Sequence, residues 1–246
     1  IHADGGNKSI SAPGVGNYLT MGKAAALTRQ LIGEQGLRQH SFVHAHGTGT
    51  PQNRTTESVI LDRTAKAFGI EHWPVVAIKA YLGHSLGSAG GDQLSAALGS
   101  FAHGWLPGIR TVDHIADDVH RDHLNFCLTH QPRDDLQATL INSKGFGGNN
   151  ATAVALSHTM TESMLTQRHG QQALAGWQQR REAVREAKAN FREHCLTHAP
   201  APIYRFNEGV MADEHVSLSQ DAVQLQGRAA IQFDDDAGLK DYQFKQ

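Results

Sequence analysis

The sequence has few cysteines, little net charge and no long apolar run, and each shortage excludes a class of protein. Two cysteines among 246 residues exclude a disulfide framework and favour a reducing, cytoplasmic location. A formal net charge of -2 gives no electrostatic basis for binding nucleic acid or an anionic membrane. No apolar run approaches the roughly 20 residues that a membrane-spanning helix needs. The 39% hydrophobic content is typical of a soluble globular protein.

Two further absences concern the start of the chain and its thiols. The first residue is Ile1 rather than Met, and no signal-peptide pattern follows, so we expect a segment upstream of residue 1. Neither cysteine has the surroundings of a nucleophile. Cys127 lies in an apolar run typical of a strand, and Cys195 ends a charged helical stretch, so both are predicted to be packing residues.

The residues with chemical potential are concentrated between His44 and Gly91. Residues 41–45 and 73–78 are short apolar runs typical of interior strands, and each leads into a short motif. The motifs are His46-Gly-Thr-Gly-Thr50 and Lys79-Ala-Tyr-Leu-Gly-His84. Because α/β folds place their ligand chemistry just past the ends of such strands, we expect the two motifs to form one site.

The residue types in these motifs suit a reaction in which negative charge develops on oxygen. His46 and His84 bring imidazole N–H donors that can stabilise an enolate, such as the one left when a carboxylate departs as carbon dioxide. Lys79 adds a cation, and Glu57, on the predicted helix after the first motif, is expected to pair with it. The set contains no nucleophile.

Two other features of the sequence could indicate a zinc site or a nucleotide site. His44 and His46 form an H-x-H pair at a strand end, which can hold zinc, but no third ligand at suitable spacing is evident, so no metal is predicted. The glycine-rich stretch 144–149 lies between two strand-like runs, 138–142 and 151–156. A phosphate-binding loop needs a helix after its glycines, so a nucleotide site is excluded.

Three motifs in this order also carry a resemblance to a known family. They are His46-Gly-Thr-Gly-Thr50, Lys79 five residues before His84, and Asn142-Ser-Lys-Gly-Phe-Gly-Gly-Asn149, with Ser11-Ala12-Pro13 upstream. Together they resemble the C-terminal half of a β-ketoacyl-ACP synthase, a condensing enzyme of the thiolase-like superfamily. The amino-acid sequences of residues 44–53 and 144–150 are most similar to those of the bacterial subgroup that makes acetoacetyl-ACP.

The resemblance implies a fold and a reaction. The fold is α/β, with residues 1–157 as the C-terminal half of a thiolase-like α-β-α-β-α ketosynthase domain and 158–246 as a helical extension and tail. The reaction is decarboxylative Claisen condensation of malonyl-ACP with an acyl primer in fatty-acid or polyketide synthesis. The implied partners are acyl carrier protein, malonyl and acyl thioesters, and a second copy in a cytoplasmic homodimer. Phosphopantetheine arrives on the carrier protein, and no dissociable cofactor is implied.

The resemblance also assigns roles to single residues. It implies that His46 and His84 hydrogen-bond the malonyl thioester and stabilise the enolate, while Lys79 tunes the site with Glu57 as its carboxylate partner. Phe146 corresponds to a gating phenylalanine whose backbone N–H helps to form the oxyanion hole. The remaining substrate-binding positions are Thr48, Thr50, Gly145 and Gly147.

One substitution and one missing group set this chain apart from the family pattern. Lys144 stands where the family usually has Phe, and it is expected either to reach toward the acyl pocket or to point to solvent. The acyl-holding cysteine of the family is placed upstream of residue 1, on a missing N-terminal half against which the apolar surface of this half packs. The alternative is a non-catalytic or decarboxylase-only partner, or an interaction module that lacks the cysteine.

Overall fold

The computed structural model describes residues 1–3, 14–199, 206 and 208–233, so the predicted motif at 11–13 lies outside the described residues. Helices and strands alternate along most of the chain, as the sequence predicts. In chain order they are β1 (His2–Ala3), α1 (Val15–Gln39), β2 (Ser41–His44), α2 (Pro51–Ala67), β3 (Trp73–Val76), α3 (Lys79–Leu82), α4 (Ala89–His103), β4 (Trp105–Leu106), β5 (Leu124–Phe126), β6 (Gln131–Pro132), β7 (Ala138–Gly145), β8 (Asn149–Leu156), α5 (His158–His169), α6 (Gln171–Thr197), β9 (Val216–Leu218), β10 (Ala222–Leu225) and β11 (Ile231–Gln232).

A mixed six-stranded sheet holds the first part of the chain together. Its strand order is β1-β8-β7-β2-β3-β5. The central pairs β7–β2, β2–β3 and β3–β5 are parallel, whereas β8 runs antiparallel to β7 and to β1. The two predicted strands that lead into the histidine motifs are therefore neighbours. Their carboxyl ends meet at one edge of the sheet.

Both faces of the sheet are covered, which explains why its central strands read as continuous apolar runs. Successive residues of a strand point to opposite faces. Val43 and Val75 pack in one cluster with α1 and α2, while Phe42 and Val76 pack in a second cluster with Ala97 of α4. The predicted α/β class is thus confirmed, with helices on both sides of the sheet.

The C-terminal residues form a separate compact unit. Packing divides the chain at residues 180 and 181, inside α6, into units Ile1–Arg180 and Arg181–Gln246. The charged helical stretch predicted to end at Cys195 is two helices in the structure, α5 and α6, separated at Gly170, whose φ of 84° ends the first helix. The second unit also holds a small sheet in the order β11-β10-β9, and the boundary predicted at 157 stays a prediction.

Across the described ranges, every helix is too short or too polar to cross a bilayer.

Candidate active site

The structure brings His46 and His84 together at the carboxyl edge of the sheet. His46 follows β2 by two residues, and His84 follows the short helix α3 that continues from β3. Their ring centroids are 5.2 Å apart and the rings are nearly perpendicular, at 82°. The two motifs that the sequence predicts to form one site are thus adjacent in the structure.

A backbone hydrogen bond assigns the tautomer of His46. The Lys144 amide donates to Nδ1 of His46 at 3.2 Å. An amide can only donate, so Nδ1 is the acceptor and the proton of the neutral ring is on Nε2. Burial lowers the pKa of His46 to about 4; the negative charge of Glu57 opposes this shift, and Lys79 and Lys144 add to it. His46 is therefore a neutral donor at physiological pH.

The tautomer of His84 is also assigned by a backbone hydrogen bond, from a residue with a left-handed backbone conformation. The amide of Leu86 donates to Nδ1 of His84 at 3.1 Å. Leu86 has a φ of 57°, a left-handed conformation that costs a non-glycine residue roughly 1–2 kcal/mol. His84 therefore also presents Nε2–H as its free donor edge.

Glu57 is the anchor of the first loop. Its carboxylate is buried and accepts four hydrogen bonds, from His46 N at 2.7 Å, Gly47 N at 2.9 Å, Asn53 Nδ2 at 2.9 Å and Asn142 Nδ2 at 2.6 Å. Burial opposes ionisation of this carboxyl, yet the charge of Lys144 and the Gly47 N–H lower its pKa below the ordinary value. The carboxylate is thus anionic and fixes the backbone at His46.

The predicted ion pair between Lys79 and Glu57 is not formed in the structure. Lys79 Nζ donates instead to the backbone carbonyl of His46 at 2.6 Å, and the described residues contain no Lys79–Glu57 contact within ion-pair distance. The backbone of His46 lies between them, with its N–H on Glu57 and its C=O on Lys79. Burial lowers the pKa of Lys79, while the charges of Glu57 and Asp92 act in the opposite direction. The two residues hold one residue's backbone rather than each other.

Lys144 is part of this cluster, which rules out the solvent-facing orientation considered for it. Its side chain is only 9% exposed, and Nζ donates to Asn53 Oδ1 at 3.2 Å. Its position at the end of β7, next to β2, places both its backbone and its ammonium beside the His46 loop. The charge also acts on Glu57.

The histidines open into a cavity of about 1560 Å³. Three of the predicted substrate-binding residues line it, namely Thr48, Thr50 and Gly145, together with the predicted gating residue Phe146; Gly147 does not. Phe146 stands at the mouth with 80% of its surface exposed, and the hydroxyls of Thr48 and Thr50 lie 3.3 Å apart. The segment 109–116 also lines the cavity, together with the apolar residues Val119, Phe126 and Leu128.

Three buried amide side chains were missed by sequence reasoning. Asn53 and Asn142 both hold Glu57. Gln93 of α4 donates to the carbonyls of His44, Ala45 and Asn142 at 2.8–3.3 Å and so ties α4 to the ends of β2 and β7. A single Asn or Gln belongs to no recognisable sequence motif. The one indication in the sequence was that Asn142 is the first residue of the glycine-rich motif.

The cysteines and the H-x-H pair lie outside this arrangement. Burial raises the pKa of the Cys127 thiol to about 11, and Cys127 does not line the cavity. His44 is fully buried, with neither ring nitrogen bonded to any described residue, and burial lowers its pKa to about 3. Over the described part of the chain, no three His, Cys, Asp or Glu side chains are grouped to hold a metal ion.

Comparison with known proteins places this geometry in a family. Residues 9–113 match the family described as "Beta-ketoacyl synthase, C-terminal domain". The chain is 50% identical over 228 residues to the Beta-ketoacyl-[acyl-carrier-protein] synthase FabY of Pseudomonas aeruginosa, covering 92% of this chain and 36% of that protein. It is 33% identical over 113 residues to 3-oxoacyl-[acyl-carrier-protein] synthase 1 of Escherichia coli K12, covering 46% of this chain and 26% of that protein.

A solved structure gives the same result for the fold. The crystal structure of the noncanonical ketosynthase FabY from P. aeruginosa superposes with a TM-score of 0.81 at 47% identity, over 98% of this chain and 38% of that one. The thiolase-like fold predicted for the chain is thereby confirmed. The chain spans between about a quarter and two fifths of the length of these relatives.

Proposed function

The chain carries the C-terminal domain of the β-ketoacyl synthase family, and on that premise we propose that it supplies the decarboxylation site of a β-ketoacyl-ACP synthase. The complete enzyme would condense malonyl-ACP with an acyl primer in fatty-acid synthesis. The observation that carries the proposal is the adjacent pair His46 and His84. Each ring accepts a backbone N–H at Nδ1, so each presents Nε2–H to the cavity.

This pair is suited to the charge that decarboxylation creates. The bond between the malonyl α-carbon and its carboxylate breaks, carbon dioxide leaves, and the electron pair moves to the thioester oxygen as an enolate. Two Nε2–H donors stabilise that oxygen without giving up their protons. The α-carbon then attacks the acyl thioester, and the thiolate departs. Burial keeps His46 neutral for this role, because its pKa is about 4.

Lys79 and Glu57 act through the His46 backbone. One holds its carbonyl and the other its N–H, so the ring is fixed before substrate arrives. Thr48, half-buried, and Thr50, exposed, both line the cavity and could hydrogen-bond the amides of the phosphopantetheine arm that the carrier protein brings. Phe146 at the mouth is placed to gate entry, and its backbone amide to complete the oxyanion site.

The acyl-holding cysteine belongs to the part of the enzyme outside this chain. The two cysteines here do not serve, since neither Cys127 nor Cys195 lines the cavity and Cys127 is buried. Exposed leucines support a covering partner: Leu82, Leu86, Leu94 and Leu98, beside or on α4, are each at least 42% exposed. We propose that the N-terminal half covers this surface and that the whole enzyme is a cytoplasmic homodimer.

The test is a product analysis of the complete protein with malonyl-ACP and an acyl donor. Mass spectrometry of the carrier protein should show β-ketoacyl-ACP, and an acetyl or other short primer is expected from the subgroup resemblance. Acetyl-ACP and carbon dioxide without any β-ketoacyl product would favour the decarboxylase-only alternative. No carbon dioxide release at all would contradict the proposal.

A further inference from the structure

Lys144 reaches His46 by two independent routes. Its backbone amide donates to the imidazole Nδ1 at 3.2 Å. Its ammonium donates to Asn53, whose amide donates to Glu57 at 2.9 Å, and Glu57 accepts the His46 backbone N–H at 2.7 Å. The two routes close a ring of contacts that begins and ends at Lys144. One residue thereby connects to both the side chain and the backbone of His46.

The ammonium belongs to a buried charged cluster at the cavity wall, where Lys144 is one of the lining residues. With 9% of its side chain exposed, Lys144 has lost most of its hydration, which is costly for a charge unless a partner compensates it. Glu57, fully enclosed in the same cluster, is an anion that needs such compensation, and the charge of Lys144 lowers its pKa. Asn53 lies between the two and bonds to both.

Resting on the proposed function, we propose that Lys144 is a positioning residue for decarboxylation. It holds the Asn53–Glu57 pair that fixes the His46 backbone through the hydrogen bonds described above. The phenylalanine that the family usually has at this place can supply neither the charge nor the hydrogen bond. The reaction at this site would therefore depend on a lysine that acts through Asn53, Glu57 and the His46 backbone.

The charge balance around His46 defines what removal of Lys144 would do. Four groups face the imidazole from four parts of the fold: Glu57 on α2, Lys79 on α3, His84 beyond α3 and Lys144 on β7. Glu57 raises the pKa of His46, and the other three lower it. Without Lys144, the negative charge of Glu57 is opposed by one lysine, Lys79, instead of two. His46 then binds a proton more readily.

The test compares malonyl-ACP decarboxylation by the complete protein with its Lys144→Gln and Lys144→Arg variants. Glutamine keeps a donor for Asn53 but removes the charge, and arginine keeps both. For Lys144→Gln we expect kcat at pH 7 to fall about tenfold, KM to change less than twofold, and the acidic midpoint of the kcat profile to rise by about one pH unit. Lys144→Arg should restore that midpoint. The control is Lys66→Met, which removes an exposed lysine from α2 and should change neither quantity.

A second measurement does not need activity. The titration of His46 is followed by NMR of 13Cε1-labelled histidine, with its signal identified by its loss in His46→Asn. A rise in the His46 midpoint in Lys144→Gln, or in Lys144→Met if the glutamine variant does not fold, supports the proposal. An unchanged midpoint, or a raised KM with an unchanged midpoint, overturns it. If the wild-type protein releases no carbon dioxide, the proposed function fails, and the titration still decides the role of Lys144.

Discussion

The backbone amide of Lys144 donates to Nδ1 of His46 across 98 residues of sequence. This bond exists because β7, which carries Lys144, pairs in parallel with β2, which leads to His46. Together with the Leu86–His84 bond, it makes both histidines Nε2–H donors. The chemistry proposed for the site therefore depends on the pairing of strands as much as on the two imidazoles.

A substitution that keeps a donor near Nε2 should keep part of the activity. The amide nitrogen of Gln at position 46 can reach the place of imidazole Nε2, whereas Leu offers no donor. We expect His46→Gln to decarboxylate malonyl-ACP about tenfold or more faster than His46→Leu. The measurement is carbon dioxide release by the complete protein at saturating substrate. Equal rates for the two variants would show that the Nε2–H donor is not used.

Removal of the negative charge of Glu57 should destabilise the protein. In Glu57→Gln, a side-chain NH₂ replaces one oxygen that accepts buried N–H donors, so at least one donor loses its partner. We expect a loss of about 3 kcal/mol in the free energy of unfolding, measured by urea denaturation. The matched control is Glu34→Gln, where the carboxylate forms an exposed pair with Arg38 and the loss should stay below about 1 kcal/mol. Similar losses in both variants would contradict the anchoring role.

The buried ring of His44 should make the fold sensitive to acid. Burial lowers its pKa in the folded state to about 3, while the unfolded value is about 6.5. Between these values the unfolded chain binds more protons, so stability is lost as the pH falls below 6.5. By pH 5 the loss from this group should be about 2 kcal/mol.

The pH dependence of urea denaturation for His44→Leu tests this expectation. The variant should lose about 2 kcal/mol less than the wild type between pH 7.5 and pH 5. The matched control is the same replacement at exposed His72. If His44→Leu titrates like the wild type, the ring is hydrated or protonated in the folded protein.

Gly108 is required by a close backbone contact beside the cavity wall. A Cβ at this position would lie 2.3 Å from the carbonyl carbon of Thr129, and the Gly108 carbonyl accepts the hydroxyl of Tyr81. We expect Gly108→Ala to cost about 3 kcal/mol, seen as a lower thermal midpoint. In Gly176→Ala the new methyl group meets only the end of Arg180, at 3.4 Å, so that variant should be as stable as the wild type or more stable. A Gly108→Ala variant with an unchanged midpoint would show that the wall can move.

The sequence alone predicted the two strands that lead to the histidines and the proximity of His46 and His84. Apolar runs at 41–45 and 73–78 predicted β2 and β3, and strand ends are the usual place for ligand chemistry. Such signals are local, and hydrophobic periodicity carries them. The break at Gly170 was not foreseen, because a single glycine in a charged helical stretch does not by itself end a helix.

The internal contacts of the site could not be read from the sequence. Glu57 and Lys79 were expected to pair as opposite charges, but each instead bonds to the backbone of His46. Backbone groups at a strand end compete for charged side chains, and sequence spacing does not show which partner is nearer. The same holds for Lys144, whose orientation depends on the register of β7 against β2.

The most direct test of the proposed site is the rate of malonyl-ACP decarboxylation by the complete protein and by its His84→Ala variant. We expect the rate to fall by about 10²-fold or more, as for the loss of an oxyanion donor. Circular dichroism should show that the variant is folded. A wild-type rate in His84→Ala would contradict the assignment of this site to decarboxylation.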